Sequence, residues 1–362
     1  MFTLNIHTIY SCLLRKMTKY DYQIFLIFIY FTIFHIMAIL GKKQVTDWIR
    51  LDNDVSVFKQ LYTDQKKAIR FPEEINVQLD LVDYKSMSDS ELALFQELIW
   101  YFVTSELLVQ NVLWESFYPY IIDPRAKMAM TVQMFMEDIH SDFFEMILNT
   151  FNMNRDDIYN KSITNTIMAR KQDMVAKAAN FISVSNGGVN PDTIEGKKAI
   201  LHAILINNIV QEGIFFYSAF ALYFAIRETG KMKNVCNGID LVLIDESFHL
   251  KMWIELILAI LEETPEILED LTFVEKIRST IVEGTELEIE FVKQQFQTKA
   301  IFNINYNEME QYIKYITDRR LSELGFDIHY GVQNNPLKFL EKQDLKTLQN
   351  FFEITPNQYT NF

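Results

Sequence analysis

The chain is poor in residues that interrupt regular structure, with 10 Gly and 7 Pro in 362 positions. Few turn formers exclude an all-β sandwich or barrel and favour long helices. Only two cysteines occur, Cys12 and Cys236, far apart and with no CxxC spacing. That excludes a disulfide framework and a thiolate metal site, and it favours a reducing compartment. Positive charge is also short: 34 Lys and Arg face 48 Asp and Glu, a net charge of −14. A general nucleic-acid binder is therefore excluded, since little would neutralise phosphates. No Gly-rich phosphate loop and no Ser–His–Asp arrangement is evident, so nucleotide binding on this chain is not expected. What is plentiful is apolar surface. With 49% hydrophobic residues, the length suffices for one large domain or two small ones.

One long run carries no formal charge. It covers 17 residues, Ile24 to Leu40, flanked by Arg15, Lys16 and Lys19 before and by Lys42 and Lys43 after. A bilayer span needs roughly 20 apolar residues, so this run is at the short end. A membrane anchor, a signal sequence and translated upstream sequence are three readings of it. No small-residue cleavage site follows, which disfavours the signal sequence. Met17 and Met37 keep a later start in play. Residues 1–45 are read as an N-terminal extension, 46–340 as the main domain and 341–362 as a C-terminal tail. The expected location is cytoplasmic, with membrane contact only through 24–40 if that segment is retained.

Beyond residue 45 the apolar pattern is helical almost throughout. Ser88-Asp89-Ser90-Glu91 reads as a helix start ahead of Leu92, Phe95, Leu98, Ile99 and Phe102 on one face. This helix is expected over 89–119. Asp123-Pro124 opens a second over 124–151, with Pro in the first turn. Further stretches run over 163–184, 194–229, 234–261, 267–297 and 303–323, with Asn186-Gly187-Gly188 and Thr229-Gly230 as the clearest breaks. No solenoid repeat and no low-complexity linker interrupts them. The expected fold is all-α, a single large helical bundle.

Within those helices ionisable groups stand in apolar surroundings. Glu137 and His140, like Glu246 and His249, are three apart, so each pair presents a carboxylate and an imidazole to one point. Spacing alone decides little, because about 0.8 such matches are expected by chance in this composition. Placement matters more. The first pair follows Met134-Phe135-Met136 and the second follows Leu241-Val242-Leu243-Ile244. Glu106 and Glu212 are isolated carboxylates in equally apolar stretches. A buried charge must be paired or bound to metal, since leaving it alone is costly. One Glu from each of two helices plus Glu-x-x-His from two others is the donor inventory of dinuclear carboxylate bundles. Oxygen-rich donors with two imidazoles suit iron or manganese better than zinc or copper.

Three segments carry a family resemblance: Phe135-Met136-Glu137-Asp138-Ile139-His140-Ser141, Gln211-Glu212-Gly213-Ile214-Phe215-Phe216-Tyr217-Ser218 and Asp245-Glu246-Ser247-Phe248-His249. They resemble the signature helices of the small subunit of class I ribonucleotide reductase. The likeness runs from about residue 54 onward and includes Thr104-Ser105-Glu106-Leu107-Leu108-Val109 and Asp318-Arg319-Arg320-Leu321. The resemblance implies a ferritin-like bundle and a homodimer. It further implies two transition-metal ions per chain, bound by Glu106, Glu137, His140, Glu212, Glu246 and His249. The family activates oxygen at that site and passes an oxidising equivalent to a large subunit, which makes deoxyribonucleotides.

Departures from the family pattern shape the expectation. Phe144 stands where most members keep a radical-bearing Tyr, and Glu106 stands where most have Asp. Together they resemble the manganese–iron subgroup, in which the metal pair itself holds the oxidising equivalent; two irons remain an alternative. Arg70 holds the position of the Trp that relays the electron, although Asp245, which contacts that Trp and a ligand His, is present. Either an Arg70–Asp245 ion pair or a solvent-facing Arg70 is expected. Tyr359 matches the mobile-tail Tyr, but only three residues follow it. Two rival readings remain: a non-catalytic small-subunit partner in a heterodimer, and a ligand-binding oxidase of related fold. The oxidase cross-links a Val and a Tyr; Val109 fits the first, whereas Asn207 holds the second. Arg170, Lys171 and Lys177 read as a solvated helix face, His202 and His329 as surface or satisfied groups, and Phe215, Phe216 and Phe220 as core around the metals.

Overall fold

Ser88 caps the first long helix as its sequence predicts: its Oγ accepts from the Glu91 N–H while the Glu91 carboxylate accepts from the Ser88 N–H. Asp123 does the same for the second, accepting from the N–H groups of Arg125 and Ala126, with Pro124 at the first helical position. The computed structural model describes residues 39–41, 56–296 and 300–340. Among them the helices are α1 (Val57–Ala68), α2 (Leu81–Ser86), α3 (Asp89–Val112), α4 (Pro124–Thr150), α5 (Arg155–Thr164), α6 (Thr166–Ile182), α7 (Ile194–Ile204), α8 (Phe216–Glu228), α9 (Lys233–Glu263), α10 (Glu266–Glu269), α11 (Leu271–Phe296) and α12 (Tyr306–Glu323). Extended pairing among the described residues is confined to two isolated bridges, Leu40 with Ile121 and Ile301 with Ile304. The all-α expectation holds.

Two stretches depart from regular α geometry. The helix expected over 194–229 is α7 and α8 joined by a π-helix, Leu205–Phe215, and α3 ends in a shorter π segment, Leu113–Phe117. A π turn widens the backbone and re-aims side chains, which is why it recurs at functional sites. The stretch expected over 267–297 divides at Asp270, whose carboxylate accepts from the N–H groups of Thr272 and Phe273 at the start of α11.

Helix α4 packs against α1, α3 and α9, and the π-helix packs against α9 and α11. Close approach depends on missing side chains. A Cβ on Gly238 of α9 would meet the Phe143 ring at 2.1 Å, and one on Gly284 of α11 would meet Val210 of the π-helix at 2.3 Å. The start of α9 is fixed from outside: Asp80 accepts from the Val235 N–H and Asp83 from the Met232 N–H. Carboxylates there also face the positive end of the helix dipole. The break before α9 turns on Gly230, whose φ of 84° suits glycine.

Of the charge-free run 24–40, only Ile39 and Leu40 lie among the described residues. Both are buried, and the Ile39 N–H donates to the Glu263 carboxylate. The anchor reading thus gains no support at that end; residues 24–38 are outside the described set. The two described helical stretches long and apolar enough to cross a membrane, Asp89–Phe117 and Ile194–Glu228, are core helices of the bundle.

Candidate metal centre

Four helical segments converge on one point. Glu106 comes from α3, Glu137 and His140 from α4, Glu212 from the π-helix, and Glu246 and His249 from α9. All six are buried, none more than 2% exposed. Their donor atoms form two overlapping groups, Glu106–Glu137–His140–Glu246 and Glu212–Glu246–His249, with atoms in each group within 4.8 Å of one another. Glu246 belongs to both.

The approach of these atoms is close but not that of ordinary hydrogen bonds. His140 Nδ1 lies 3.3 Å from Glu137 Oε2, 3.3 Å from Glu246 Oε1 and 3.7 Å from Glu106 Oε2. His249 Nδ1 lies 3.1 Å from Glu137 Oε1 and 3.4 Å from Glu246 Oε2. Yet both oxygens of Glu106 and Glu246, Glu137 Oε2, His140 Nδ1 and both His249 nitrogens make no hydrogen bond. Buried polar atoms are nearly always satisfied, so this many orphans in one place need an explanation. Lone pairs aimed at shared points rather than at one another provide it. The donor set, with Glu246 common to both groups, fits two hard or borderline cations.

Outer partners orient the donors. His140 Nε2 is 3.2 Å from Asp245 Oδ2, a contact that leaves Nδ1 as the free lone pair. Gln133, one turn before Glu137, places Nε2 3.2 Å from Glu137 Oε1 and 3.4 Å from Glu212 Oε1. Protonation follows from crowding four carboxylates and two imidazoles in a dry site. Burial pushes the Glu106 carboxyl well above the usual range against the pull of His140. Burial does the same for Glu212, aided by Glu246 and Glu137. For Glu137 burial is outweighed by His249 and His140, which hold it far below. Burial alone would depress both imidazoles, but the carboxylates around them raise His140 and His249.

A buried aromatic cluster lies on α3, α4 and α8. Phe144 is fully buried and stacks on Phe102 at 4.8 Å, and Phe102 contacts Phe216 at 4.9 Å and Phe220 at 5.4 Å. This matches the core reading of the phenylalanine cluster. Lys171 does not match its surface reading. It is 1% exposed, paired with Glu288, and its Nζ stands 4.1 Å from the Tyr101 ring, 4.3 Å from Phe215 and 4.5 Å from Phe291. Partners far away in sequence turn a basic residue on a polar-looking stretch inward, whereas Arg170 and Lys177 stay exposed in ion pairs with Glu290 and Asp173. His202 and His329 lie away from the donors, His202 beside Thr280 and His329 against the Tyr330 ring.

A family model described as ribonucleotide reductase, small chain, matches residues 47–336. The chain belongs to that family. Among curated relatives, ribonucleoside-diphosphate reductase subunit beta of Chlamydia pneumoniae is 28% identical over 291 residues, covering 80% of this chain and 83% of that protein. Subunit M2 of Danio rerio is 27% identical over 303 residues, covering 83% and 72%. Among solved structures, the ribonucleotide reductase R2 subunit of Clostridium botulinum superposes with a TM-score of 0.75 at 22% identity, covering 84% of this chain and 93% of that one. An R2-like ligand-binding oxidase with a Mn/Fe cofactor gives 0.62 at 17%, covering 78% and 98%. At such identities the structures speak to the fold alone. They agree with the ferritin-like bundle expected of a ribonucleotide reductase small chain.

The positions where this small chain departs from its family are now placed. Arg70 is solvent-facing: its guanidinium donates to the carbonyls of Lys67 and Ile69 and forms no ion pair with Asp245, whose partner is His140. A cavity of about 20 Å³ remains between Arg70, Phe71, His140, Phe143 and Asp245, room for about one water. Val109 is buried, and Asn207 donates to the Ala203 carbonyl within its own helix. Tyr359 and the tail 341–362 lie outside the described residues. The late Asp318-Arg319-Arg320-Leu321 motif is structural: Arg320 donates to the Gly213 carbonyl beside Glu212, and Asp318 accepts from the N–H groups of His329, Tyr330 and Val332.

Proposed function

We propose that this chain is the oxygen-activating small subunit of a ribonucleoside-diphosphate reductase. Its main domain spans 46–340, with a tail over 341–362. Glu106, Glu137, His140, Glu212, Glu246 and His249 would hold two transition-metal ions, Glu246 being common to both groups of donors. When bound, such a pair supplies the redox chemistry that turns oxygen into a stored oxidising equivalent. The protein's own part is to orient and protect. Asp245 holds His140 in the ligating tautomer, and Phe102, Phe144, Phe216 and Phe220 keep water and competing donors away. Phe144 offers no phenol to oxidise, so this position would not carry the equivalent, and a manganese–iron pair would suit its storage better than two irons. The large subunit is the recipient, and the chain works in the cytoplasm as a homodimer or paired with another small subunit.

The observation that carries this reading is the cluster of buried donor atoms without hydrogen bonds. Its test is elemental analysis of the purified chain after aerobic loading with iron and manganese. Two ions per chain are expected, falling in Glu137→Ala and His249→Ala; no bound metal would collapse the reading to a scaffold role.

One observation favours the second reading, a non-catalytic partner in a heterodimer. A guanidinium cannot be oxidised at an accessible potential, and Arg70 faces solvent instead of contacting Asp245. Copurification with a large subunit, against copurification with a second small subunit, separates the two.

A further inference from the structure

Among the described residues, Gln133 is the one neutral side chain that hydrogen-bonds two of the donor carboxylates on different helices. It is fully buried on α4, and its Nε2 reaches Glu137 Oε1 at 3.2 Å and the Glu212 oxygens at 3.4 and 3.5 Å. Its orientation is not free. Trp253 of α9, also fully buried, points Nε1 at Gln133 Oε1 from 2.9 Å. An indole N–H can only donate, so the carbonyl must face Trp253 and the amide NH₂ must face the carboxylates. Trp253 is itself held by Phe117, with ring centroids 5.3 Å apart.

Glu212 needs this more than the other donors. Glu137 is flanked by both imidazoles, and Glu246 likewise, whereas no imidazole stands within ion-pair distance of Glu212 among the described residues. Glu212 also sits on the π-helix, a geometry that recurs at functional sites. Gln133 is the hydrogen-bond donor found at its carboxylate.

We propose that Gln133, locked by the Trp253 indole, is a positioning residue that aims Glu212 and favours the cation position made by Glu212, Glu246 and His249 over the other. The inference rests on the metal reading above. It makes the two positions unequal in a defined way: Gln133 meets Glu137 at Oε1, the oxygen 3.1 Å from His249, and not at Oε2, which faces His140, so removing the amide weakens the ion beside His249 and spares the ion held by Glu106, Glu137 Oε2, His140 and Glu246.

The test is a Mn(II) titration of the metal-free full chain, followed by the EPR signal of unbound Mn(II), with circular dichroism to check folding. Wild type should take up two ions per chain. Gln133→Leu, close in volume but without the amide, should keep one ion at wild-type affinity and bind the second at least about 10-fold more weakly, the usual scale for losing an outer partner of a metal ligand. Trp253→Phe, which keeps a ring but lacks the N–H, should shift the same step in the same direction. The double variant should be no worse than Gln133→Leu, because Trp253 acts through the amide. A purely structural role would weaken both ions together. Two ions at unchanged affinity in Gln133→Leu, equal weakening of both, or additive effects in the double variant would each overturn the proposal. A wild-type chain that binds no Mn(II) overturns the metal reading itself, and this inference with it.

Discussion

Stripping the metal should invert the pH dependence of stability. In the metal-free chain the carboxylates around His140 and His249 raise both imidazoles, and burial raises Glu106 and Glu212. Every one of these groups holds its proton more tightly folded than unfolded. The folded chain therefore binds more protons above the unfolded imidazole value of about 6.5, and stability falls as pH rises through the raised folded values. Glu137, held low, acts only on the acid side, where its contribution is lost as pH falls. His202, pushed down to about 4 by burial and Lys276, has the opposite slope, but only between about 4 and 6.5. Above that window the metal donors dominate. One to two extra protons give a slope of about 1.4–2.7 kcal/mol per pH unit. Bound metal needs deprotonated donors, so loading should release protons and stabilise more at higher pH. Urea unfolding of chelator-treated and metal-loaded chain at pH 6.5, 7.2 and 8.0, with proton release recorded in weak buffer, reads both effects. A metal-free stability that stays level or rises over that range would refute the reasoning.

Aerobic loading should give no tyrosyl EPR signal, since Phe144 cannot form a phenoxyl radical. Tyr101 lies beneath the Lys171 ammonium, which opposes its oxidation, so a stable tyrosyl signal would point to Tyr217 or the buried Tyr223 and contradict metal-based storage. Lys171→Met should cost about 3–5 kcal/mol in urea unfolding by leaving Glu288 buried without its cation, while Lys171→Met with Glu288→Leu should return most of that; a double variant no better than the single would show that the pair is not the source. With a large subunit present, wild type should support little nucleotide reduction, and Arg70→Trp should raise turnover by at least about tenfold, or about 1.4 kcal/mol of barrier. Wild-type turnover at the level of an ordinary small subunit would show that electrons leave by a route that does not pass residue 70.

The donors were legible because helical periodicity and spacing are local properties. Glu137–His140 and Glu246–His249 share a face wherever their helices form, and apolar neighbours mark that face as buried. What was not legible depends on contacts distant in sequence. Lys171 reads as surface because Glu288, its partner, is 117 positions away. The π-helix that carries Glu212 has no composition of its own: Leu205–Phe215 is apolar enough for any buried helix, and it packs closely against Gly284 and Arg320, both distant in sequence. Gln133 could have been found, since it lies four residues before Glu137 on the same face, but its meaning needs Trp253 on another helix. Arg70 left two outcomes open in sequence, and the nearby carbonyls of Lys67 and Ile69 decided between them.

Fold stability constrains the two parts of the function unequally. Arg70 is exposed, and a substitution at such a position usually shifts stability by no more than about 0.5 kcal/mol. Nothing in the packing therefore holds that position to one residue type. The donors are the opposite case. Four carboxylates and two imidazoles in a dry core are expensive to keep, and exchange of buried ionic clusters for apolar residues of similar volume is often neutral or stabilising. A chain serving only as scaffold would be helped by Leu or Met at Glu106 and Glu212, whose carboxyls burial already forces toward the neutral form. Burial thus works against the six donors unless cations neutralise them, and the orphaned polar atoms of Glu106, Glu246 and His249 mark where such cations would sit. The metal centre is consequently the part of the function that the fold itself argues for, while radical export through residue 70 must be argued from turnover.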